Sequence, residues 1–189
     1  MRDVWVKVTT LAMLGATACA MTACTMDVGG TGTAGGGAAM PRATATLMDA
    51  TGAAKGNATF EQTASGLRMR VQATGMAPGP KGLHFHMMGK CDAPDFTTAG
   101  GHWNPTGMKH GKDSGAGPHL GDLPNIEIGA DGRGQIDTVA AGVMLMSGAT
   151  PLLDADGAAI LIHAGPDDYR TDPSGNSGSR LACGVVTPA

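Results

Sequence analysis

A chain of 189 residues with a formal charge of −3 holds one domain, or one domain and an extension. Aromatic residues make up only 3% while glycine contributes 31 residues, a composition suited to turns and short strands rather than to a thick helical core. No basic stripe interrupts the mildly acidic average, which argues against a nucleic-acid partner.

The N-terminus reads as a targeting segment. Arg2 and Lys7 give a weakly positive start, and Val8 to Ala23 is small or apolar without a charge. That run is short of the ~20 residues a membrane span needs, and its Ala/Thr-rich end fits a secretory signal peptide over residues 1–23. Met21-Thr22-Ala23-Cys24 resembles a bacterial lipobox, with Cys24 as the lipidated first residue; Cys19 is the weaker candidate, and plain cleavage near Ala20 or Ala23 is the alternative. Cleavage removes Arg2, Lys7 and Asp3, a net +1, and takes the mature chain from −3 to −4. Residues 24–41, dominated by Gly, Ala and Thr, read as a flexible tether to a folded domain at 42–189. Export leaves Cys91 and Cys183, which an oxidising compartment favours pairing; two separate buried thiols are the alternative. Such a bridge closes a loop of about 90 residues, worth roughly 4–5 kcal/mol by loop-closure entropy.

From residue 42 the texture is short and alternating. Period-two patterns at 43–48, 58–63 and 67–72 predict strands, the last two separated by Ser65-Gly66 as in a hairpin. Strands follow at 125–128 and 135–139 around Asp131-Gly132, and compact apolar runs at 158–163 and 181–186 suit buried strands. No stretch offers a long amphipathic helix, so the fold class is all-β, a sandwich or barrel. Two irregular segments, 91–122 and 164–180, are long enough to be functional loops.

All six histidines fall between His84 and His163. His84-Phe85-His86 is a His-x-His whose imidazoles share one face of a strand while Phe85 points to the other. His102 follows Gly100-Gly101; His110 follows Lys109; His119 opens His119-Leu120-Gly121-Asp122; His163 ends an apolar run; Arg180 stands three residues before Cys183. This ordered set, spanning about residues 43–187, resembles the copper-zinc superoxide dismutase family. The resemblance implies an eight-stranded Greek-key β-barrel or sandwich with long zinc-binding and active-site loops. It implies copper at His84, His86, His102 and His163, and zinc at His102, His110, His119 and Asp122, with His102 bridging the metals and passing on a proton. It makes Asp167 the carboxylate linking His84 to His110, Arg180 the arginine beside the copper position, and Cys91–Cys183 the disulfide that pins the zinc loop near Arg180. Superoxide is then the substrate, disproportionated to oxygen and hydrogen peroxide.

Some residues depart from the common pattern. Met87 stands after His86 where an acid is frequent. The 164–180 loop carries Asp167, Asp168, Asp172 and Arg170 rather than an obvious basic guide; Lys81, Lys109 and Lys112 are candidate substitutes for steering, and Asp168 reads as a solvated turn acid. Met87, Met88 and Met108 read chiefly as gap-filling side chains, with Cu(I) delivery as the alternative, since thioether is a soft ligand. Trp103 reads as packing. The rival functions are a copper or zinc buffer, against which Arg180 and Asp167 speak, and an inert envelope lipoprotein, against which the full ligand set speaks. The implied setting is a bacterial periplasm, with the domain held at a membrane by its lipid. No interface motif separates a monomer from a homodimer.

Overall fold

The computed structural model describes residues 40–189. The signal segment, Cys19, Cys24 and the tether up to residue 39 lie outside the described residues. Ten strands follow in chain order: β1 (Arg42–Met48), β2 (Ala54–Thr63), β3 (Gly66–Ala73), β4 (Gly79–Lys81), β5 (Leu83–His86), β6 (Ile126–Ile128), β7 (Gly134–Ala140), β8 (Ala159–His163), β9 (Arg180–Val185) and β10 (Thr187–Pro188). One 3-10 turn, Thr97–Ala99, is the helical element among the described residues. None of these elements is a helix long and apolar enough to cross a membrane.

The strands form one antiparallel sheet in the order β4-β6-β7-β3-β2-β1-β9-β8-β5, with β10 added beside β1. The end strands β4 and β5 are separated in the chain by Gly82 alone, so the twisted sheet curls into a nearly closed barrel. Eight of the ten strands coincide with the expected ones; the additional two are β4 and β10, of three and two residues. The β2–β3 hairpin turns at Ala64-Ser65, one residue earlier than the sequence suggests, because Gly66 already pairs with Thr63.

Alternation explains the core. Ala43, Ala45 and Leu47 of β1, Ala58 and Phe60 of β2, and Leu67, Met69 and Val71 of β3 point inward, while Arg68 and Arg70 face out. Val143, Leu145 and Leu152 of the 141–158 loop join this core, and the loop is tied down where the Leu145 N–H donates to the buried Gln62 Oε1 at 2.7 Å.

β5 and β8 are buried on both faces. Leu83, Phe85, Ile160 and Ile162 enter the barrel core, whereas Ala159, Leu161 and Cys183 form a second cluster with Phe96 and Ala99 of the 91–101 loop. That loop is joined to β9 by a Cys91–Cys183 disulfide with Cα atoms 5.6 Å apart. The wall of the barrel at β5–β8–β9 is thus sandwiched between the core and a stapled loop, which makes it a rigid platform.

Phe85 is the inward anchor of that platform, fully buried with its ring 5.6 Å from Phe60. Phe85→Ala should cost roughly 3–5 kcal/mol in equilibrium denaturation, as buried aromatic truncations do. A loss below about 1 kcal/mol would show that the wall repacks freely.

Candidate metal centre

β5 sets the first two ligand positions. With Leu83 and Phe85 committed to the core, His84 and His86 face outward toward the loops. The edge of β5 is completed by loop backbone: Trp103 N–H donates to Phe85 O at 2.8 Å, Phe85 N–H to Gly121 O at 2.9 Å, and Met87 N–H to Gly101 O at 3.1 Å. These bonds lay His102 beside His86 and Asp122 beside His84 as isolated bridges. His163 ends β8 at an irregularity in the β8–β9 ladder, where it pairs with Arg180 rather than Leu181. Bulges re-aim side chains, and this one sets His163 and Arg180 opposite each other.

The result is two adjoining clusters. His84, His86, His102 and His163 offer ring nitrogens that all lie within 4.8 Å of one another, and so do the donor atoms of His102, His110, His119 and Asp122. His102 belongs to both. Its Nδ1 lies 2.9 Å from Asp122 Oδ1, and its Nε2 is buried with no hydrogen-bond partner. Asp122 Oδ1 also stands 3.0 Å from His110 Nδ1 and 3.1 Å from His119 Nδ1, so three imidazoles converge on one carboxylate oxygen.

The chain's own acceptors choose which nitrogen of each ring is free. Gly100 O takes His86 Nδ1 at 2.9 Å and Gly178 O takes His163 Nδ1 at 3.2 Å, which leaves the Nε2 lone pairs facing each other at 3.4 Å. Asp167 takes His84 Nε2 at 2.8 Å and His110 Nε2 at 2.9 Å, which leaves their Nδ1 atoms. Two lone pairs at 3.4 Å repel unless a cation lies between them. His84 Nδ1 and His102 Nε2 are buried without partners, each at a cost of about 1–3 kcal/mol. Both observations fit metal ions: an all-imidazole set suited to copper and a three-nitrogen, one-carboxylate set suited to zinc. A third grouping, His84, His110 and Asp167, is accounted for by the two hydrogen bonds on Asp167.

Electrostatics agree. Burial, reinforced by neighbouring imidazoles, pushes His86 down to about 2 and His163 to about 3; burial likewise takes His102 to about 4 and lowers His84. All four are neutral at pH 7, the state a ligand needs. His110 goes the other way: burial opposes its charge, but the adjoining carboxylates of Asp122 and Asp167 push it up to about 9. An arriving cation therefore displaces a proton there. Asp122 and Asp167, despite burial, are held well below the usual carboxylate range by those histidines.

Arg180 is placed beside this group. Its guanidinium donates to Phe96 O, and to Gly100 O at 2.6 Å. Gly100 O is the same carbonyl that holds His86, so one peptide fixes both the arginine and an imidazole. Trp103 is buried in the barrel core, in keeping with packing. Asp168 is exposed and holds its own turn through Arg170 N–H, Thr171 N–H and Thr171 Oγ1. The steering candidates need correction. Lys81 is buried with Nζ donating to Ala164 O at 2.8 Å, and Lys112 lies 4.3 Å over the Tyr169 ring. Lys81 is thus a buried tie rather than a free cation, whereas Lys109 and Lys112 are both exposed.

Sequence reasoning missed the residues that hold Asp167. Asn125 pairs with its backbone in both directions, Asp167 N–H to Asn125 Oδ1 at 2.9 Å and Asn125 Nδ2 to Asp167 O at 3.0 Å. Tyr169 N–H donates to Asp167 Oδ1 at 2.6 Å. Asp172, read only as loop charge, accepts the His110 N–H at 2.8 Å. Gly175 lies at φ +64°, and a Cβ there would collide with Asp167 Oδ1 and lie 2.6 Å from His110 Nε2. No local pattern in the sequence marks these partners, since each acts across tens of residues.

A model of the family described as copper/zinc superoxide dismutase matches residues 54–186. The chain belongs to the copper/zinc superoxide dismutase family. A superoxide dismutase [Cu-Zn] of Aquifex aeolicus is 42% identical over 75% of this chain and 85% of its own length. One of Deinococcus radiodurans is 41% identical over 77% of this chain and 84% of its own length. Among solved structures, a SOD-like protein from Bacillus subtilis superposes with a TM-score of 0.73 at 40% identity, covering 75% of this chain and 96% of that one.

Gly175→Ala tests the carboxylate bridge inside this family member without touching a ligand. It should lower the number of metals retained after dialysis, read by elemental analysis, because Asp167 and His110 must move apart. Full retention of both metals would show that the bridge is dispensable.

Proposed function

We propose that this chain is an exported copper-zinc superoxide dismutase that converts two superoxide anions and two protons to one oxygen and one hydrogen peroxide. The observation that carries the reading is the pair of clusters sharing His102, with Arg180 set beside one of them. A metal buffer has no use for an arginine held by the same carbonyl as a ligand imidazole.

In this reading His84, His86, His102 and His163 would hold copper, and His102, His110, His119 and Asp122 would hold zinc. Copper supplies the one-electron couple that takes an electron from one superoxide and gives it to the next, and zinc supplies a fixed charge at Asp122 and His102. Arg180 receives the substrate: two of its N–H donors are committed to Phe96 O and Gly100 O, and the others offer a permanent positive charge to a small anion. His102 Nδ1 is engaged beside Asp122 and its Nε2 has no partner, so Nε2 is the atom that would pick up a proton and deliver it to the reduced product. Asp167 keeps His84 and His110 in one orientation by accepting both Nε2 protons. The β5–β8 wall and the stapled loop exclude bulk water from four neutral imidazoles.

The N-terminus supports export: residues 1–23 serve as a signal peptide, Cys24 carries the lipid in preference to Cys19, and residues 24–41 tether the 42–189 domain to a membrane of a bacterial cell envelope. The disulfide fits an oxidising compartment.

The test is to load the purified domain with both metals, count them, and follow superoxide disappearance after pulse radiolysis. One copper and one zinc with rapid disproportionation is expected. Arg180→Ala should keep both metals and lower kcat/KM by about 10- to 100-fold, the range of an electrostatic steering effect. Stoichiometric metals without activity would replace the enzyme with a buffer.

A further inference from the structure

Met87 and Met88 directly follow His86, and neither takes part in the dismutation chemistry. Successive side chains of an extended strand point to opposite faces. Here β5 ends at His86 and the chain bends, so the side chains of both methionines meet one residue, Gly100, Met87 through its sulfur and Met88 through its Cγ. A Cβ at Gly100 would lie 2.7 Å from Met87 Cγ, 3.3 Å from Met87 Sδ and 3.3 Å from Met88 Cγ. The arms are held there by backbone: Met87 N–H donates to Gly101 O and Met88 N–H to Ala99 O, each at 3.1 Å. Gly100 sits at φ +75°, and its carbonyl holds both His86 and Arg180. Both methionine side chains therefore pack on the residue whose carbonyl holds His86 Nδ1.

Gap-filling does not explain Met87. Its side chain is 44% exposed, so it fills no core void, and packing over a glycine at the surface would be served by leucine. What methionine adds is a polarisable thioether, a soft ligand that favours Cu(I). We propose that Met87 and Met88 form a transient docking port that captures Cu(I) and hands it to His86 and the other three imidazoles without change of oxidation state. The proposal rests on the copper reading of His84, His86, His102 and His163.

The experiment uses the zinc-loaded domain under anaerobic conditions, with Cu(I) supplied as its bicinchoninate complex and, separately, Cu(II) as its glycine complex. Uptake is read from the loss of each complex's absorbance, not from activity. Met87→Leu/Met88→Leu should take up Cu(I) about tenfold more slowly than the natural chain, with Cu(II) uptake changed by less than about twofold, since leucine keeps the volume and removes only the soft sulfur. Met146→Leu, at a methionine 52% exposed elsewhere on the surface, should leave both rates unchanged. Met87→Leu alone, an exposed position that does not endanger folding, should show the same selectivity to a smaller degree. Cu(I) uptake at the natural rate in the double variant would overturn the port, and so would equal slowing of both oxidation states, which marks a packing effect. A natural chain that takes up neither form would bring down the four-imidazole reading, and the port with it, before any methionine is changed.

Discussion

One buried carboxylate organises this molecule. Asp167 accepts a hydrogen bond from His84 Nε2 and another from His110 Nε2, and so ties a residue on the barrel wall to a residue of the long loop. Ionised carboxylates are costly to bury unless every lone pair is used. Here the two imidazoles and the Tyr169 N–H supply three hydrogen bonds to it, and Asn125 holds the backbone behind them. The dividend is geometric. With both Nε2 atoms committed, both Nδ1 atoms are aimed, one into each cluster.

The same logic recurs at Gly100, where a carbonyl commits His86 Nδ1 and anchors Arg180, and at Gly178, which commits His163 Nδ1. The loops that supply these acceptors are irregular in sequence but not loose in structure. The disulfide staples one to β9, Phe96 and Ala99 pack it against Leu161, and Lys81 ties Ala164 to β4. The barrel provides stiffness, and the loops spend it on fixing ring orientation. A site built this way presents imidazoles whose ring orientation is decided before any ion arrives, neutral at His84, His86, His102 and His163 and still protonated at His110.

The sequence made much of this legible, for identifiable reasons. Alternation marked β1 and β3 because one face of each meets the core and the other meets water, and continuous apolar runs marked β8 and β9 because both faces are covered. The order and spacing of six histidines with Asp122, Asp167 and Arg180 pointed to the two clusters that the fold brings together. β4 was not legible: Gly79-Pro80-Lys81 reads as a turn, and it is a strand only because it lies at an end of the sheet, where a missing N–H is tolerated. Lys81 looked like a free cation and proved to be a buried tie. Asn125, Asp172 and Gly175 carry no local signature, because what they hold lies on other segments of the chain.

The chain itself, through Asp167 and the Gly100 and Gly178 carbonyls, sets which nitrogen of His84, His86, His110 and His163 is free. Long-range proton–nitrogen NMR on the metal-free domain, taken at about pH 10 where His110 has lost its extra proton, reads this directly. The account predicts Nε2–H tautomers at His84 and His110 and Nδ1–H tautomers at His86 and His163. Mixed tautomers at these four rings, or the same pattern persisting at His84 and His110 in Asp167→Ala, would contradict it.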